Sequence, residues 1–191
     1  MNLRLIIFSI IYLFSFNSYS QKNECNLDND NNNKIYAIDF DDMICLSKKS
    51  SSANTIFYTF GIWCAPCIKH LDNTIAINEN YDVDLYILLT ENENDTIIKK
   101  TVEYLKKRSA NLNILTIKDS YGKRKSKKYK KFLKEITPNR FKNINGMSKY
   151  ILLNNAGEIK MITTWKDNIE NNWDDDSKML EKKIIPFLRK K

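Results

Sequence analysis

Cys64 and Cys67 stand two residues apart in GIWCAPCIKHL (61–71), with Trp63 directly before the first. A pair at this spacing exchanges disulfides, holds a metal ion, or forms a structural bridge. Exchange needs a thiolate. A thiol loses its proton more readily at a helix start, where free N–H groups and the positive end of the helix dipole favour negative charge. NTIFYTF (54–60), β-branched and aromatic, reads as a buried strand leading straight into the cysteines, and a helix over about Cys67 to Asn80 follows. That order puts Cys64 at the exposed helix start and Cys67 one turn further in, placed to resolve a mixed disulfide on Cys64. Pro66 suits a first helical turn.

The other two readings fare worse. Zinc takes four ligands, or three and a water, and the chain offers one Cys-x-x-Cys, a single histidine (His70) and two distant cysteines, Cys25 and Cys45. His70 follows Cys67 by three residues and is expected as an exposed helix residue. A zinc site would have to recruit Cys25 from a polar linker and Cys45 from a strand end, so no metal is expected. A purely structural 64–67 bridge gains little, because so short a loop costs little entropy to close. Cys25 and Cys45 are expected to pair and pin the linker onto the domain; exchange of one of them with the Cys64–Cys67 pair is the alternative.

The compartment bears on all four cysteines. Arg4 and the apolar stretch Leu5 to Phe16 read as a secretory signal over residues 1–20, with Ser18 and Ser20 as the small residues before cleavage at Gln21. Twelve residues are too few for a bilayer core of ~30 Å, which needs about 20. The alternative is an uncleaved N-terminal anchor. Residues 21–34 (QKNECNLDNDNNNK) are a polar, Asn- and Asp-rich linker. The expected location is therefore secreted or periplasmic, where disulfides persist. The net charge of +8 falls to +7 once Arg4 is removed.

The rest of the chain, 35–191, alternates strand and helix. IYAIDF (35–40), DLYILLT (84–90) and LNILTI (112–117) read as strands. Asn94-Asp95 opens a helix carrying Ile98, Val102 and Leu105. A basic helix carries Tyr129, Phe132, Leu133 and Ile136 and ends at Pro138. YILL (150–153) and EIKMITTW (158–165) form a hairpin around Asn154–Gly157, and a last helix runs from about Asp175 to Lys190 with Pro186 as a kink or a frayed end. The expected class is α/β, a central mixed sheet with helices on both faces.

The segment NTIFYTFGIWCAPC resembles the active-site segment of thioredoxin-fold proteins, and with the secretory signal it is most similar to TlpA/ResA-like envelope thiol-disulfide oxidoreductases. WCAPC and the hairpin carry the specific part of that resemblance. It implies a thioredoxin-like fold, Cys64 as nucleophile and Cys67 as resolving thiol. It also implies a substrate groove formed by Trp63, Ala65, Pro66, Met147 and Ser148, and no organic cofactor. Three positions depart from the family. Ser148, nine residues before Gly157 (157 − 148), replaces its cis-proline, so a trans bond and a loosened groove are expected. Asp72 stands where the family often has a proline. Tyr58 replaces the family's buried acid, which removes the usual proton acceptor for Cys67. A peroxiredoxin is not indicated, since no Pro-x-x-x-Thr-x-x-Cys pattern precedes a cysteine.

KRKSKKYKKFLK (123–134) has eight basic residues in twelve. It reads as a solvated helix face, with an anionic partner as the alternative; nucleic acid is not expected, for want of a binding module. The functional expectation is disulfide exchange with protein thiols and disulfides, supported by an unidentified redox partner. The alternative is a thioredoxin-fold adaptor in which the cysteines are vestigial.

Overall fold

The computed structural model describes residues 25, 35–92, 95–168 and 173–190. The proposed signal (1–20) and, apart from Cys25, the linker (21–34) lie outside the described residues. Six strands form one mixed sheet: β1 (Tyr36–Ile38), β2 (Asn54–Phe60), β3 (Asp84–Leu89), β4 (Asn113–Ile117), β5 (Tyr150–Asn154) and β6 (Ile159–Ile162), in the order β1-β4-β3-β2-β5-β6. The first four run parallel and β5 runs against both its neighbours, β2 and β6. The architecture is α/β with helices on both faces, compatible with a thioredoxin-like fold.

β2 is the innermost strand of the site, and all seven of its residues are buried. Alternation along it divides the core. Ile56, Tyr58 and Phe60 face one layer, which contains α2 (Ala65–Lys69), α3 (Leu71–Asn80), α4 (Thr96–Arg108) and α6 (Ser177–Lys183). Phe57 faces the other, which contains α1 (Phe40–Lys49) and α5 (Lys125–Ile136).

Three expectations are corrected. The strand at 35–40 stops at Ile38, and Asp39 caps α1, a helix the sequence reading left out. Asp39 Oδ1 accepts from Asp42 N, and Asp42 Oδ2 accepts from Asp39 N, a reciprocal box that closes the helix start. Cys45 is therefore on a helix, not at a strand end. The helix expected from Cys67 begins earlier, at Ala65, and breaks at His70 (φ −84°, ψ −5°) before resuming as α3. The last helix ends at Lys183, and Ile185–Phe187 form a 3-10 turn around Pro186, whose ring and missing N–H cannot continue a helix.

At the hairpin turn Gly157 has φ +79°, and a Cβ there would lie 2.7 Å from Ile44 Cγ2. The turn thus needs glycine twice over, for its backbone angle and for the closeness of α1.

Candidate functional site

β2 delivers the chain to the site through Gly61, and Cys64 becomes the N-cap of α2. Cys64 is bonded to Cys67, and its sulfur accepts from Cys67 N at 3.3 Å. Cys64 retains 7 % exposure while Cys67 is fully buried. Of the two, only Cys64 lines the adjoining groove, so its sulfur is the accessible one. An N–H aimed at Cys64 Sγ also favours the thiolate over the thiol once the bond is opened.

Two grooves of about 450 Å³ each adjoin the cysteines and share Gly146 and Met147. The first brings together Cys64, Pro66, Met147 and Ser148 with His70, Trp165 and Trp173. The second holds Trp63 with Lys125 and Tyr129. Ala65 is exposed but lines neither groove. The chain's three tryptophans, Trp63, Trp165 and Trp173, are 54 %, 59 % and 54 % exposed. Indole rings that large are ordinarily well buried, so three left open around one disulfide mark a surface suited to contact.

Trp63 is held at its polar edge, where Nε1 donates to Glu91 Oε1 at 3.0 Å. Glu91 is fully buried at the end of β3, and its second oxygen accepts from Thr90 N. Gly61 lies against the same indole: a Cβ there would be 2.9 Å from Trp63 Cε2 and Nε1.

Beneath the disulfide runs a polar chain that the sequence reading did not assemble. Tyr58 Oη donates to the Cys67 carbonyl at 3.2 Å and lies 2.8 Å from Ser148 Oγ. Ser148 Oγ lies 2.7 Å from His70 Nδ1, and His70 Nε2 lies 2.9 Å from the Trp173 carbonyl. Asp176 Oδ2 is 3.6 Å from His70 Nδ1 and accepts from Tyr150 Oη at 2.6 Å.

His70 is thus 5 % exposed rather than an exposed helix residue, because the kink at its own position turns the ring inward against Ser148 and the segment before α6. Ser148 has φ +61°, and among the described residues every peptide bond is trans. Its groove is not loosened, since the hydroxyl is pinned between Tyr58 and His70. Burial pushes the Tyr58 hydroxyl far above the ordinary tyrosine range, an effect the Ser148 hydrogen bond opposes and the Asp176 charge reinforces. Tyr58 therefore stays protonated and cannot accept a proton from Cys67.

Cys25 and Cys45 are bonded to each other, with Cα atoms 5.7 Å apart. Cys25 packs against the core on the α1 face, while Cys64 and Cys67 belong to the opposite core. Among the described residues no group of three or more His, Cys, Asp and Glu side chains is arranged to hold a metal, and no helix is long and apolar enough to cross a membrane. Comparison of the chain with protein-family models, with curated proteins and with solved structures gives no match in any of the three. A functional reading therefore rests on the chemistry of the site itself.

Proposed function

We propose that the protein is a thiol-disulfide oxidoreductase acting on protein thiols and disulfides outside the cytoplasm, with Cys64 attacking and Cys67 resolving. One observation carries the reading: a disulfide between a groove-facing Cys64 at a helix cap and a buried Cys67, with Trp63 beside it. Reduced Cys64 attacks one sulfur of a substrate disulfide, forming a mixed disulfide and releasing a substrate thiolate. Cys67 then loses its proton and attacks Cys64 Sγ, which frees the second substrate thiolate and closes the protein's own disulfide. Run backwards, the same steps oxidise a substrate dithiol.

The test is equilibration of the purified protein with glutathione over a range of thiol-to-disulfide ratios. A reversible two-electron couple, lost in Cys64→Ser, is the expected result. A pair that never equilibrates overturns the proposal. The second reading, a binding protein with a vestigial disulfide, is favoured by Trp165 and Trp173, which stand open along the groove although thiol-disulfide exchange asks no chemistry of them. Under that reading Cys64→Ser leaves function intact.

A further inference from the structure

His70 is the chain's one histidine, buried on the same helical segment as Cys67 and lining the same groove as Cys64. His70 follows Cys67 by three residues at the C-cap of α2, and Ser148 and Tyr58 connect its ring to the Cys67 carbonyl.

The hydrogen atoms along the polar chain can be counted. The Trp173 carbonyl can only accept, so His70 Nε2 carries a proton in every state. The Cys67 carbonyl can only accept, so Tyr58 spends its one hydroxyl proton there. Ser148 must then donate to Tyr58, which leaves Ser148 Oγ as the acceptor for His70 Nδ1. All four contacts are satisfied together only when both ring nitrogens are protonated. A neutral His70 accepts from Ser148 instead; Ser148 then accepts from Tyr58, and the Cys67 carbonyl loses the tyrosine's hydroxyl.

We infer that His70 is a positioning residue whose proton is shared thermodynamically with the Cys64–Cys67 bond, so that opening the disulfide and charging the imidazole favour each other. The inference rests on the proposed oxidoreductase reading. On reduction the Cys64–Cys67 bond breaks, and two thiols of the reductant supply the two electrons and leave as its disulfide. Cys67 keeps one proton and Cys64 becomes a thiolate. The second proton goes to His70 Nδ1 where the ring is neutral, and to solvent where it is already charged. The new negative charge on Cys64 then holds the imidazolium in place.

Other groups face His70 from every side. Asp176 stands 3.6 Å away, with Asp174 and Asp175 in the same segment. Asp176 is fully buried, Asp174 is half-buried and Asp175 is exposed; Asp175 is held below the ordinary carboxylate range by its bonds from Ser177, with a smaller contribution from His70 itself. Tyr58 comes from β2 and Tyr150 from β5, both kept protonated by burial. Lys69, on α2 itself, pairs with Asp174. Lys149, next to Ser148, directs its amine to the Thr163 carbonyl. None of these is covalently altered when the disulfide opens.

A single histidine makes the test direct, because its ring resonances in an NMR spectrum need no assignment. The purified protein, free of any histidine tag, is titrated once oxidised and once reduced by a phosphine, which opens the bond whether or not it equilibrates with glutathione. The expected result is that His70 binds its proton at least about threefold more tightly in the reduced protein. As a second readout, the pH dependence of the equilibrium constant with glutathione should lose one proton-linked step in His70→Gln. Identical titrations in the two redox states overturn the inference while leaving the oxidoreductase reading untouched. A pair that fails to equilibrate overturns that reading but not the linkage, which the phosphine-reduced sample still measures.

Discussion

Lys128 Nζ, one turn into α5, donates to the backbone carbonyl of Glu91 at 2.7 Å. The same amine reaches the Ile117 carbonyl at 3.0 Å and Asp119 Oδ1 at 2.9 Å, so its three protons meet three acceptors at full burial. It ties α5 to the ends of β3 and β4, next to the loop on which Trp63 rests. Lys127, Lys130, Lys131 and Lys134 of the same helix are exposed, as a solvated face requires.

Lys128→Met should therefore cost about 3 kcal/mol, because two backbone carbonyls and a partly buried carboxylate lose their partner together. Lys130→Met and Lys131→Met should stay within about 0.5 kcal/mol of the parent. Urea unfolding measures all three. Equal costs would mean that Lys128 contributes no more than its solvated neighbours.

Trp63 and Glu91 supply a second prediction. Glu91→Ala removes the acceptor of the indole N–H and should lower stability by about 1.5–3 kcal/mol, the range for hydrogen bonds to a charged group. Glu91→Gln keeps an acceptor oxygen and should lose clearly less. Gly61→Ala forces the indole to move without touching either cysteine, since its methyl would lie 2.9 Å from Trp63 Cε2 and Nε1. If Trp63 shapes the contact surface, the exchange rate falls in Gly61→Ala while the equilibrium constant of the disulfide with glutathione stays put. A rate equal to the parent's would remove Trp63 from that role.

What the sequence made legible was the local part of the site. NTIFYTF announces a central strand by composition, Pro66 fits the first turn of the helix that follows, and the spacing of Cys64 and Cys67 suffices to suggest their bond. The helix Phe40–Lys49 was missed because its start signal, Asp39 and Asp42, uses an aspartate where the usual box has Glu or Gln, directly after a strand of three residues. His70 was misread for a different reason. Its partners arrive from 78 and 103 residues away, at Ser148 and Trp173, and no periodicity near position 70 encodes them. Lys128 was hidden in the same manner, as one lysine among many whose burial depends on carbonyls from other strands.

The Cys25–Cys45 bond closes a separation of 20 residues on the sheet face away from Cys64. In the chain-entropy account such a loop contributes about 3 kcal/mol. Replacing both cysteines by serine should lower unfolding stability by about that amount, measured in urea, and leave exchange at Cys64–Cys67 unchanged. Loss of exchange in the double variant would instead show that the two disulfides communicate.

Lys149 gives a prediction in pH. Burial pulls its amine down from the ordinary lysine value to about 8, against a smaller opposing pull from Asp167. Because the folded protein releases this proton before the unfolded chain does, the unfolded state holds more protons between about pH 8 and 10.5. Stability then rises with pH in that interval. The penalty for burying a charged amine is fully present below pH 8 and is relieved above it. Tyr58, Tyr129 and Tyr150 act in the opposite sense, since burial raises all three and their unfolded counterparts ionise near pH 10. The clean window is therefore about pH 8 to 9.5. Urea unfolding across it should show stability increasing in the parent protein and a flatter profile in Lys149→Met, which has no amine to titrate. If both profiles have the same slope, the lysine is as well solvated in the folded protein as in the unfolded chain, and the amine beside Ser148 plays no part in the pH response of the site.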